Sequence, residues 1–106
     1  MAMIPMEYSG GGTATSIKST SSTTAQSFSD KDISEYDGFV LSSGAGQNVH
    51  AVCYIPKDMI NKFPIFRVPL TTTTNTIICY AEVNFSDKTL VSSNSTYYAT
   101  LYGIKN

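Results

Sequence analysis

The sequence has few charged residues, no tryptophan and only two cysteines. Asp, Glu, Lys and Arg together make up 14% of its 106 residues, and the formal net charge is −1. Contacts with nucleic-acid phosphates need concentrated positive charge, whereas the basic residues here are scattered, so we expect no nucleic-acid partner. No apolar run approaches the ~20 residues that span a bilayer, so we expect no membrane insertion.

The N-terminal residues 1–6 lack the charged region and the long apolar stretch of a signal peptide. We therefore expect the chain to be made, and to assemble, in a cytoplasm. Cys53 and Cys79 lie in apolar, strand-like segments, which predicts two buried free thiols. A disulfide between neighbouring strands remains an alternative, and the sequence does not decide whether the two thiols touch.

A polar tract of Ser, Thr and Gly occupies residues 9–27, and it follows a short alternating segment. Such a tract cannot bury enough apolar surface to offset its ordering entropy, so we expect other subunits to order it. Ile4, Met6 and Tyr8 fall on one side of the alternating segment, where Pro5 favours a sheet edge. These features predict an extended arm over residues 1–30 that docks through Ile4, Met6 and Tyr8.

Residues 31–106 show hydrophobic patterns of period two, with turn residues at intervals of roughly 8–12 residues. We predict strands over residues 38–43, 49–55, 65–68, 77–85, 88–92 and 97–104. This pattern favours an all-β domain, an antiparallel β-sandwich of jelly-roll-like type, preceded by the extended arm.

Two of these strands carry more specific expectations. Residues 49–55 are apolar on both faces, which is typical of a central strand. Residues 65–68 lie between two prolines and are predicted at an edge. In the strand over residues 77–85 we expect one side to face the core, and its members are Ile77, Cys79, Ala81, Val83 and Phe85.

No group of residues indicates catalysis. His50 and Cys53 are three apart in a strand, so their side chains fall on opposite faces and cannot act as a pair. A run of acids could wrap a calcium ion, but helix or turn capping explains it more simply: Asp30, Asp32, Glu35 and Asp37. The sequence therefore predicts no enzyme, no metal and no cofactor.

Tyrosine is the residue type that most suggests recognition. Tyrosine has an apolar ring and a polar tip, which suits protein interfaces and sugar contacts. We select Tyr80, Tyr97 and Tyr98 as candidates for surface recognition because of their polar neighbours or outward positions. The alternative is that these rings simply pack across strands.

Three short motifs resemble a known group of proteins. Ile33-Ser-Glu-Tyr-Asp-Gly-Phe-Val-Leu41, Tyr54-Ile-Pro56 and Tyr102-Gly-Ile-Lys105 resemble small β-sandwich domains of bacteriophage and prophage virion appendages. Domains of that kind end tail fibres, receptor-binding proteins and head fibres. The resemblance covers residues 28–106 and implies a virion structural protein, commonly a homotrimer, whose exposed end meets the host surface. It supplies no catalytic residues.

The length of the chain leaves no room for the shaft of a full tail fibre. We therefore expect a small fibre or appendage component that docks on a larger virion protein (capsid, portal or tail) and contacts a host-surface glycan. A capsid decoration and a tail adaptor are alternatives within the same class. A stand-alone carbohydrate- or protein-binding module is the alternative outside it, and a polysaccharide-degrading enzyme ranks last because its paired carboxylates are missing.

Overall fold

The fold is seen in a computed structural model that describes residues 12–45, 49–71 and 76–106. These residues form eight β-strands and one 3₁₀ turn, Lys57–Met59. The strands are β1 (Thr13–Thr20), β2 (Gln26–Ser27), β3 (Gly38–Ala45), β4 (Val49–Pro56), β5 (Ile65–Thr71), β6 (Ile77–Asn84), β7 (Thr89–Ser92) and β8 (Tyr98–Lys105). Within the described ranges, no helix has the length and apolar character that crossing a membrane requires.

The strands pair in two antiparallel sheets of four strands each. Sheet A has the order β1-β8-β3-β4, and sheet B has the order β2-β7-β6-β5. The first strand pairs with the last and the second with the last but one, a nested, jelly-roll-like arrangement, whereas β3–β4 and β5–β6 are hairpins. The predicted all-β sandwich is confirmed.

The core lies between the two sheets and is centred on Phe85. The ring of Phe85 lies 5.0 Å from that of Phe39, 6.1 Å from that of Phe66 and 6.4 Å from that of Phe28, measured between centroids. Tilted and edge-on contacts of this kind are the favourable geometries for aromatic pairs. Phe39 is contributed by sheet A and Phe66 by sheet B, so this cluster joins the two layers.

The predicted inner face of residues 77–85 is confirmed for four of its five members and wrong for Ile77. Cys79, Ala81, Val83 and Phe85 are buried, whereas Ile77 is 61% exposed. The register between β5 and β6 shifts at this point, because Leu70 lies opposite Cys79 and Thr71 lies opposite Ile77. A bulge interrupts the alternation of side chains, so Ile77 turns away from the core.

The predicted boundary between arm and domain is corrected by β1. Residues 13–20 pair with β8 from Thr13 opposite Lys105 to Thr20 opposite Ala99, so this part of the predicted arm is a strand of the sandwich. Ile17 and Phe28 are buried in the core. From Thr13 onwards the polar tract is ordered by backbone pairing within its own chain and by these two apolar anchors, which composition alone does not reveal.

The prediction of a central strand over residues 49–55 is also wrong. Among the described residues β4 pairs only with β3 and forms an edge of sheet A. Ala51, Cys53 and Ile55 turn towards the core, but Val52 and Tyr54 remain exposed. No second sheet among the described residues covers this side of β4, so its apolar residues remain in contact with solvent. The predicted edge strand over residues 65–68 is confirmed, because β5 ends sheet B.

Candidate functional site

The most distinctive surface of the described residues is the outer face of sheet A. Strand register places two rows of side chains across it. One row runs from Tyr102 through Val40 to Tyr54, and the next runs from Thr100 through Ser42 to Val52. Ser19 of β1 continues the second row, since its Oγ lies 2.9 Å from Oγ1 of Thr100. We call this surface, made of Val40, Val52, Tyr54, Tyr98, Thr100 and Tyr102, the outer face.

Large apolar groups on the outer face remain in contact with solvent. Val52 is 67% exposed, Tyr54 is 52% exposed and Tyr98 is 54% exposed. No Asp, Glu, Lys or Arg occurs in β3, in β4 or in residues 98–104 of β8. A contiguous uncharged surface with exposed aromatic groups is typical of a protein interface or a ligand-binding surface.

A glycine beneath the ring shapes one end of the outer face. The ring of Tyr54 lies over Gly38, where a Cβ atom would overlap its phenol group. Because the strand offers no side chain at that point, the phenol end of the ring can approach the sheet closely. About half of Tyr54 remains exposed, so the residue adds aromatic surface to this end of the outer face.

The three tyrosines selected from the sequence do not form one site. Tyr98 lies on the outer face, opposite Gly44 of β3. Tyr80 lies on β6 and points out of the other side of the sandwich, since its neighbours Cys79 and Ala81 are the buried ones. Tyr97 is half-buried in the turn before β8, where its amide donates to the carbonyl of Asn94.

The ring of Tyr80 already has a cationic partner within the chain. The guanidinium carbon of Arg67 lies 4.4 Å above the centroid of this ring. Arg67 also pairs with Glu82, at 2.5 Å between Nε and Oε1, and that hydrogen bond raises the pKa of Arg67 above its ordinary value. Since Arg67 occupies one face of the ring, Tyr80 is less accessible to a sugar or a partner than Tyr98 is.

Ile4, Met6 and Tyr8, the predicted docking residues, lie outside the described residues. Their role therefore stays a prediction.

The acids near the start of the predicted domain have local partners. Oδ1 of Asp32 accepts hydrogen bonds from the amide and the hydroxyl of Ser34, which lower the pKa of Asp32. Glu35 pairs with Lys105 at 3.0 Å, and Asp37 accepts from the amide of Asn106 at 2.8 Å. These acids stabilise turns and fasten the C-terminal end of the chain to the β2–β3 connection.

The described residues also include the two cysteines and the single histidine of the chain. No group of three or more His, Cys, Asp and Glu side chains there is arranged to hold a metal ion. Cys53 and Cys79 are both free thiols, one half-buried in sheet A and one buried in sheet B. Cys79 contacts Oγ of Ser43 at 3.2 Å across the core. His50 and Cys53 have opposite orientations on β4, as the alternation of a strand requires.

The chain matches no protein-family model, no curated protein and no solved structure. Function is therefore inferred from the residues of the outer face and from the sequence motifs. Sequence patterns missed Val52 and Tyr54, two of the three large exposed groups on that surface, because an apolar residue on the second face of a strand looks the same whether it is covered or not.

Proposed function

We propose that this protein is a structural component of a bacteriophage virion, a small fibre or appendage piece that exposes a β-sandwich for attachment to the host surface. The observation that supports the proposal is the outer face, which has no Asp, Glu, Lys or Arg, is rich in aromatic groups and lies on a four-stranded sheet. The sequence resemblance to virion appendage domains is the reason that we propose a virion protein as the carrier of this surface. A capsid decoration or a tail adaptor would use the same surface for contact with other virion proteins.

Attachment to the virion is assigned to the segment that precedes β1. Ile4, Met6 and Tyr8 alternate as a strand does, and an extended segment can add to the sheet edge of a larger virion protein. The homotrimer implied by the resemblance would also be built through this segment. Since β1 begins at Thr13, removal of residues 1–12 leaves every described strand in place.

The experiment is a deletion of the gene from a phage that encodes it, with complementation in trans. We expect the protein to co-purify with density-banded virions, and we expect the deletion to slow adsorption to the host. A complementing variant without residues 1–12 should fold but should be missing from the particles. If the protein does not co-purify with virions, or if the deletion phage adsorbs normally, the proposal is wrong.

The exposed Tyr98 and Tyr54 favour a second candidate, a stand-alone module that binds carbohydrate. Aromatic rings on a flat sheet can stack on the apolar side of a sugar. Binding of the purified protein to a glycan array, lost in Tyr98→Ala but kept in Tyr80→Ala, would support recognition by the outer face. Such binding together with absence from virions would favour the stand-alone module over the virion component.

A further inference from the structure

The four edge strands of the sandwich differ in how they are protected against pairing with another chain. Natural sheets blunt exposed edges with charges, prolines, bulges or very short strands. β1 carries Lys18 and a register shift between Ser16 and Lys18. β2 has only two residues. β5 carries Arg67, Pro69 and a register shift after Leu70.

The remaining edge strand, β4, has none of these devices. It is eight residues long, its register with β3 is continuous from Ala45 opposite Val49 to Gly38 opposite Pro56, and it contains no Asp, Glu, Lys or Arg. Its single proline is the last residue, where it does not interrupt the strand. Among the described residues β4 has a paired neighbour on one side only. Val52 and Tyr54 extend the uncharged outer face to this edge.

We propose that β4 pairs antiparallel with β4 of a second copy of this chain, so that two copies of sheet A join into one continuous sheet. The two-fold axis stands perpendicular to the sheet, which keeps both outer faces on the same side. A two-fold axis brings like residues together, and like charges placed opposite one another destabilise a sheet. A strand without formal charge is therefore complementary to itself, whereas β1 and β5 carry cations that disfavour such pairing.

The residues of β4 also indicate a register. When Val52 lies opposite Tyr54 of the second copy, residues 50–56 of the two strands face one another. Each copy then contributes one β-branched and one aromatic residue to two equivalent cross-strand pairs, a favourable combination. In the same register Cys53 lies opposite Cys53 of the second copy, across the axis.

This inference goes beyond the proposed function and does not depend on it. A three-fold assembly through the segment before β1 would use a different surface, so both contacts can exist in one particle. The measurable consequence of β4 pairing is the same in either case: breaking it halves the molar mass of the assembly.

The test measures the molar mass of the full chain in solution by size-exclusion chromatography with light scattering. Val52→Lys places two cations near the axis, and we expect it to halve the mass while the circular dichroism spectrum stays unchanged. Ile65→Lys is the matched control, because Ile65 is a similarly exposed β-branched residue (51%) on the edge strand β5. This control should keep the mass of the wild type. A folded Val52→Lys variant with unchanged mass, a wild-type monomer, or an equal effect of Ile65→Lys would overturn the proposal.

Cross-linking tests the register. A short bismaleimide should join two copies of the Cys79→Ser variant into a covalent dimer, and Val52→Lys should abolish that product. If the Cys79→Ser variant gives no covalent dimer, the register that places Cys53 opposite Cys53 is wrong. The Cys79→Ser variant without residues 1–12 should keep the β4 contact and remain cross-linkable. If this deletion abolishes the product, the N-terminal segment and not β4 holds the two copies together, and the proposal is wrong.

Discussion

The ring of Tyr36 occupies the space that a side chain at position 103 would fill. A Cβ atom built on Gly103 would lie 2.5 Å from Cγ of Tyr36, far inside van der Waals contact. The same ring packs edge-on against Phe39, with 6.1 Å between centroids, and Phe39 lies opposite Gly103 in the register of β3 and β8. The packing of Tyr36 on Gly103 therefore joins the polar contacts of Glu35 and Asp37 in holding the loop before β3 against the C-terminal end of the chain.

Gly103→Ala should destabilise the protein by about 1–3 kcal/mol, the usual cost of overpacking a filled site. The ring atoms that the new methyl group would meet include Cγ, which is close to the backbone of Tyr36 and cannot swing away. Urea unfolding measures the change. Tyr36→Ala should cost less in the Gly103→Ala background than in the wild type, because the two changes share one contact.

Gly38→Ala serves as the matched control for that prediction. Here the added methyl group meets the phenol end of Tyr54, an exposed ring that can rotate into solvent. We expect a change within about 0.5 kcal/mol, as for ordinary surface substitutions. If Gly103→Ala and Gly38→Ala lower the free energy of unfolding equally, the interpretation is wrong that a ring held near its backbone makes the substitution costly and an exposed ring does not.

Phe28→Ala should cost about 3–5 kcal/mol, the range for removing a buried aromatic side chain. Phe28 is fully buried and contacts Phe85, although it lies in the stretch that the sequence assigned to an arm. Lys31→Ala, an exposed position three residues on, should change the free energy of unfolding by no more than about 0.5 kcal/mol. A small effect of Phe28→Ala would mean that this stretch folds separately from the sandwich.

The bulge in β6 predicts opposite outcomes for two apolar residues of the same strand. Val83→Thr places a hydroxyl group in the core and should cost about 1–3 kcal/mol, the penalty for burying an unpaired polar group. Ile77→Thr should be nearly neutral, because Ile77 is exposed. Thermal unfolding of the two variants compares them directly, and a large loss at Ile77 would show that the alternation continues through the bulge.

Asp32 predicts a pH dependence of stability. Hydrogen bonds from the hydroxyl and then the amide of Ser34 lower its pKa below the usual 3.8. A lowered pKa in the folded state gives stability that is present above the unfolded pKa and lost as the pH falls through the folded one. The difference in Tm between wild type and Asp32→Asn should therefore be largest near neutral pH and should shrink below about pH 4. A constant difference from pH 7 to pH 3 would exclude this role.

The sequence predicted the strands of residues 38–105 well, because period-two alternation follows directly from strand geometry. It also identified β5 as an edge, since proline cannot donate to a second neighbour. It misjudged residues 13–28 because a Ser- and Thr-rich stretch lacks the apolar density of a core segment. Yet backbone pairing with β8 and the two anchors Ile17 and Phe28 are enough to hold that stretch in the sandwich.

The amino-acid sequence by itself determined that this protein is built of short antiparallel strands and carries little charge. Only the tertiary structure decided that β4 has one paired neighbour among the described residues, and hence that Val52 and Tyr54 lie at an edge of sheet A. The physical reason is that alternation specifies the two faces of a strand, whereas its lateral neighbours depend on pairings between residues far apart in the chain.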